Sequence, residues 1–102
     1  MLVSFKNKDL EDLYKLPIKQ LGKQKISKAI IVNYRKRLEV LANANDLSDI
    51  SKLKGMNLEK LKGKVYKECY SVRVNDQYRI IFKEIKGGKI QVLILELSKH
   101  YE

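Results

Sequence analysis

The stretch Leu58–Phe82, LEKLKGKVYKECYSVRVNDQYRIIF, decides how this chain is read. Apolar and polar residues alternate on both sides of Asn75-Asp76-Gln77, the pattern of two strands joined by a polar turn. Yet the strands carry Arg73 and Arg79, and the stretch opens on Glu59 among lysines. Side chains two apart in a strand share a face. Tyr70, Val72 and Val74 therefore fall on one face, with Ser71 and Arg73 on the other. In the partner strand Tyr78, Ile80 and Phe82 share a face, opposite Arg79, Ile81 and Lys83. The apolar sets must meet a core, so both arginines point away from it. They are equally distant from Asp76, and a symmetric turn sets them across the ladder from each other. Like charges in that position are mildly unfavourable. A bound anion such as phosphate would offset this; so would ion pairs with Glu84 or Glu96 on a solvated face.

The segments before this stretch read as one short strand followed by helices. MLVSF alternates weakly and is expected to form a short strand. NKDLEDLYKL follows, with Leu10, Leu13 and Tyr14 at helical spacing, Asn7 as N-cap and Asp9, Glu11 and Asp12 near the positive end. Pro17 stops this helix near Tyr14–Leu16. In KISKAIIVNYRKRLEVLANA a stripe of Ile26, Ile30, Tyr34, Leu38 and Leu41 predicts a second helix. One further helical turn is expected at Leu47–Ser51, ending before Gly55. From Lys64 onward the period changes to two, and Gly87-Gly88 turns the chain into a last strand from about Lys89 to Leu97. The expected fold is α+β in the order β-α-α-β-β-β: an antiparallel sheet with two N-terminal helices packed on one face.

Composition narrows the function. The 102 residues fit one domain, 1–102, large enough to bury a core unaided. Twenty-two Lys and Arg against twelve Asp and Glu give a net charge of +10, which favours a polyanionic partner, most often nucleic acid. The surplus is concentrated. Lys52, Lys54, Lys60, Lys62, Lys64 and Lys67 surround a single acid, Glu59. One cysteine, Cys69, leaves no intramolecular disulfide, and it reads as a small packing residue. Tyr34, Tyr66, Tyr70 and Tyr78 read as core or rim aromatics. MLVSFKNKDL is too charged for a signal peptide and no apolar run approaches a membrane span, so a cytoplasmic chain is expected. No metal-ligand cluster, glycine-rich phosphate loop or nucleophile–base–orienter set is evident, and no cofactor is expected.

The run L-E-K-L-K-G followed by Y-S-V-R-V-N-D-Q-Y-R-I, with VSFKNKDLEDLY before it and HY after the last strand, resembles the RelE/ParE superfamily of bacterial toxins. Within it the chain is similar to the HigB, or plasmid maintenance killer protein, branch of type II toxin–antitoxin systems. The resemblance spans Leu2 to Tyr101 and is firmest over Leu58–Phe82. It implies a toxin that acts as a ribosome-dependent, metal-independent mRNA endoribonuclease. The ribose 2′-hydroxyl would attack the scissile phosphate and leave a 2′,3′-cyclic phosphate and a 5′-hydroxyl. Its partners would be the ribosome, translated mRNA and a HigA-like helix-turn-helix antitoxin, with no membrane.

The resemblance assigns residues by motif. Glu59 matches the family glutamate and would be the general base. Arg79, in Q-Y-R-I, would grip the phosphate in a bidentate contact that lysine cannot copy, and Arg73 would do the same or hold RNA backbone. His100, the only histidine, could supply acid or base, and Tyr101 could stack on a base or orient the phosphate. Lys60, Lys62, Lys64 and Lys67, with Lys54 as a further candidate, would contact RNA phosphates without reading sequence. The ending S-K-H-Y-E lacks the aspartate of the D-Y-H-like ending more frequent in the killer-protein branch and stands closer to YoeB relatives. Two rivals follow from the same residues: a non-enzymatic ParE-type poison of DNA gyrase, and a basic RNA-binding module.

Overall fold

A computed structural model describes residues 1–99 of the chain. Among them are strand β1 (Leu2–Phe5), helix α1 (Lys8–Lys15), helix α2 (Lys28–Asn43), helix α3 (Leu47–Ser51) and strands β2 (Glu59–Lys60), β3 (Cys69–Arg73), β4 (Tyr78–Ile85) and β5 (Gln91–Lys99). Short 3-10 turns lie at Ile18–Gln20 and Lys54–Met56. The strands form one sheet in the order β1-β5-β4-β3-β2.

The helices begin where their caps place them. Asn7 Oδ1 accepts the Leu10 N–H at 3.0 Å, Ser27 Oγ accepts that of Ile30 at 3.3 Å, and Asp46 Oδ1 accepts that of Asp49 at 3.1 Å. Each satisfies an amide that the helix itself cannot pair. α1 ends at an extended Leu16, as the following Pro17 requires. α2 buries Ile30, Ile31, Tyr34, Leu38 and Leu41. Of these, Ile30, Tyr34, Leu38 and Leu41 meet Val72, Val74, Ile80, Phe82, Val92 and Ile94 from the inner face of the sheet. Burial of each such side chain stabilises the fold by roughly 1.5–3 kcal/mol. Two long-range hydrogen bonds tie α2 to α1: Tyr34 Oη donates to the Leu10 carbonyl at 2.8 Å, and Arg35 Nε to that of Leu13 at 2.7 Å.

Three features depart from the expectation. The sheet is mixed, because β1 runs parallel to β5 while β5, β4, β3 and β2 are antiparallel. The neighbour of β1 comes from the far end of the chain, so its direction leaves no local trace in the sequence. The strand expected from Lys64 starts only at Cys69. Positive φ at Gly63 (103°) and Glu68 (62°) breaks the extended path, and residues 61–68 form a loop between β2 and β3. Finally, β5 carries a bulge. Ile81 pairs with Glu96 but Phe82 with Ile94, which leaves Leu95 as the extra residue. Val92 and Ile94 face the core before it, and Leu97 packs on the core after it. Ser98 is thereby set opposite Arg79 on the outer face.

Candidate active site on the outer face of the sheet

The register brings the hairpin arginines together: Arg73 pairs with Arg79, Ser71 with Ile81, and Glu59 with Ser71. Glu59, Ser71 and Arg79 thus share the face opposite the helices. Arg79 Nη1 donates to Ser71 Oγ at 3.2 Å, and Nη2 to Glu59 Oε1 at 3.4 Å. Asn57 Nδ2 reaches the same Glu59 oxygen at 3.3 Å. Asn57 adopts a left-handed conformation (φ 45°), which asparagine tolerates better than most residues, and it places its amide beside the carboxylate.

A cavity of about 310 Å³ opens over this group. Glu59, Ser71, Arg79 and Ser98 supply polar atoms, and Leu61, Tyr66 and Ile81 the apolar wall; Lys99 closes one side. Arg79 is largely sequestered, its side chain 18% exposed, whereas Glu59 stands half in solvent at 51%. A guanidinium so placed needs a compensating acceptor, and the carboxylate fills that role. Two of the other depressions illustrate the difference in chemistry. One of about 520 Å³ is lined by lysines, glutamates and Tyr70, and one of about 500 Å³ lies between α1 and β5; neither contains an arginine.

The remaining candidates distribute as follows. The guanidinium of Arg73 closes onto Asp76 in the same turn and does not line the cavity. Its carbonyl accepts Arg37 Nε at 2.9 Å. The like-charge pair across the ladder is therefore relieved by two separate acids, Asp76 and Glu59, and not by Glu84 or Glu96 as one sequence alternative had it. Lys60 is exposed, pairs with Tyr70 on the opposite face from Glu59, and lines the 520 Å³ depression. Lys62, Lys64 and Lys67 are exposed on the loop between β2 and β3, and Lys54 on the 3-10 turn before it. His100 and Tyr101 lie outside the described residues. Cys69 is buried and free. Among the described residues no three His, Cys, Asp or Glu side chains group to hold a metal ion.

Leu61 and Ser98 were not singled out by sequence, and Ser71 and Tyr66 were read there only as an outer-face residue and a core or rim aromatic. Ser71 was within reach, because it shares its face with Arg73 and is buried there. Tyr66 was not, since its place depends on the loop that Glu68 closes.

The fold is that of small RelE-like toxins. Similar solved structures are the YoeB/ParE toxin from Agrobacterium tumefaciens (13% identity, TM-score 0.57, covering 99% of this chain and 100% of that one), the YoeB-YefM complex from Staphylococcus aureus (21%, 0.53, 99% and 99%) and the YoeB dimer from Staphylococcus aureus (20%, 0.52, 99% and 98%). No curated protein matches the sequence. The profile of the HigB-like toxin family, described as the RelE-like toxin of type II toxin–antitoxin system HigB, matches residues 3–97. The chain belongs to this family.

Proposed function

We propose that this toxin is a ribosome-dependent, metal-independent endoribonuclease that cuts translated mRNA. The observation that carries the proposal is one cavity holding a half-exposed carboxylate and a sequestered guanidinium 3.4 Å apart. Glu59 takes the proton of the ribose 2′-hydroxyl as the O2′–P bond forms. Arg79, held by Ser71, turns its fork onto the non-bridging oxygens and neutralises the charge gathering on phosphorus, where fixed donors act without reorganising. The P–O5′ bond breaks, and the leaving oxygen takes a proton from His100, Tyr101 or solvent. The products are a 2′,3′-cyclic phosphate and a 5′-hydroxyl. The exposed lysines 62, 64 and 67 hold RNA backbone beside the cavity. Alignment by the ribosome supplies the remaining rate through positioning.

Family membership in a toxin–antitoxin system supports a cognate antitoxin, which we take to be a HigA-like helix-turn-helix protein. The similar staphylococcal YoeB-YefM complex supports a protein partner, without bearing on its helix-turn-helix character. Mapping transcript 5′ ends after a pulse of expression tests the proposal. Cuts within reading frames are expected. Growth arrest with an SOS response and intact transcripts would indicate a gyrase poison instead.

A further inference from the structure

The cavity has two chemically distinct ends. Arg79, Ser71 and Glu59 make the polar end, whereas Leu61, Tyr66 and Ile81 form an apolar wall. That wall is unexpected on the face of a sheet turned away from its helices. Ile81 is only 8% exposed there, in a position that strand alternation assigns to solvent. Tyr66, by contrast, presents 39% of its surface. Its backbone is pinned in two consecutive turns. Tyr66 N–H donates to the Gly63 carbonyl at 3.3 Å, and the Tyr66 carbonyl accepts the Cys69 N–H at 2.9 Å. The second turn is completed by Glu68 in a left-handed conformation that a glutamate rarely adopts. A strained residue thus fixes the backbone of a half-exposed aromatic that lines the same cavity as Arg79, on a loop carrying Lys62, Lys64 and Lys67.

We infer that Tyr66, backed by Leu61 and Ile81, is the stacking platform for the nucleobase next to the phosphate gripped by Arg79. This rests on the nuclease proposal above and names the part of the substrate that the rest of the cavity takes. Flat aromatic faces stack on any base, and an unstacked single-stranded base is what such a surface fits. The cationic loop draws the RNA backbone, and the two turns fix the Tyr66 main chain before binding. The platform holds substrate by its face and carries no hydrogen-bond code, so it sets a preference for large bases and not for one sequence.

The test is single-turnover cleavage on ribosomes programmed with a defined mRNA. Tyr66→Ala is expected to lower kcat/KM by about 5- to 150-fold, the range for one base–aromatic stack, and Tyr66→Phe to restore most of that loss. An mRNA with an abasic nucleotide beside the cleaved phosphate separates stacking from a structural role. Losing the base should slow the wild type by a similar factor and slow Tyr66→Ala little further, because the two changes remove one interaction. Melting curves check that the exposed substitution leaves the fold intact. An unchanged rate for Tyr66→Ala, or an abasic penalty equal in both proteins, overturns the platform while leaving the nuclease intact. Failure of the wild type to cut at all removes the nuclease proposal and the platform with it.

Discussion

Replacing Arg79 should separate cleavage from folding. In the folded chain the guanidinium makes bonds of 3.2 Å to Ser71 and 3.4 Å to Glu59, both at or beyond the long end of the usual N–H···O range. The Glu59 partner is half in solvent, and ion pairs of that kind contribute at most about 1 kcal/mol. Arg79→Ala should therefore lower stability by on the order of 1 kcal/mol, about 4–8 °C in Tm for a domain of this size. In the transition state the same group would face the extra charge on phosphorus. Removing one such preorganised donor costs about 2.7–4 kcal/mol, or roughly 10²- to 10³-fold in rate. Arg79→Lys keeps the charge without the fork and should fall between wild type and Arg79→Ala. Single-turnover cleavage of mRNA on ribosomes measures the rate, and thermal melting the stability. A folded Arg79→Ala protein that cleaves like the wild type would refute the reasoning, because no other guanidinium lines the cavity among the described residues.

Glu59→Gln keeps the shape and the contact to Asn57 but cannot take a proton. It should lose about 10²- to 10⁴-fold in cleavage rate while melting within about 0.5 kcal/mol of wild type. Arg73→Ala should weaken cleavage by less than about tenfold, as its exposed guanidinium closes onto Asp76 outside the cavity; a loss equal to that of Arg79→Ala in the same assay would return Arg73 to the reaction centre. Tyr34→Phe removes the 2.8 Å bond to the Leu10 carbonyl and should cost about 0.5–1.5 kcal/mol in denaturant melts. Burial also pushes the Tyr34 phenol well above its ordinary value. Its neutral form is favoured in the folded state, so this contribution is full below pH ~10, where the unfolded phenol titrates, and is lost as pH rises further. The stability difference between wild type and Tyr34→Phe should accordingly shrink under alkali, and a constant difference would show that the phenol is not protected.

Much of the site was legible because period-two alternation is local. Arg79, Arg73 and Ser71 could be placed on the outer face from parity and the Asp76 turn, and the register agrees. The helices were legible from Asn7, Pro17 and the Ile30–Leu41 stripe for the same reason. What escaped depends on events without local periodicity. The parallel partner of β1 lies at the other end of the chain. The bulge at Leu95 reverses which parity of β5 faces the core, and only the register reveals it. The division of the lysines also escaped, since β2 is two residues long and sends Glu59 and Lys60 to opposite faces. The position of Tyr66 follows from a left-handed glutamate, which no propensity favours. The ending S-K-H-Y-E, which stood closer to YoeB relatives, accompanies a fold also similar to YoeB structures, though at identities of 13–21% that likeness concerns the fold alone.

The most direct measurement is the chemistry of the ends left on an mRNA of known sequence incubated with purified toxin and translating ribosomes. The carboxylate–guanidinium cavity predicts fragments cut inside the reading frame, each pair bearing a 2′,3′-cyclic phosphate and a 5′-hydroxyl, and their loss with Glu59→Gln. Fragments ending in 3′-hydroxyl and 5′-phosphate, or an mRNA left whole by folded toxin, would contradict it.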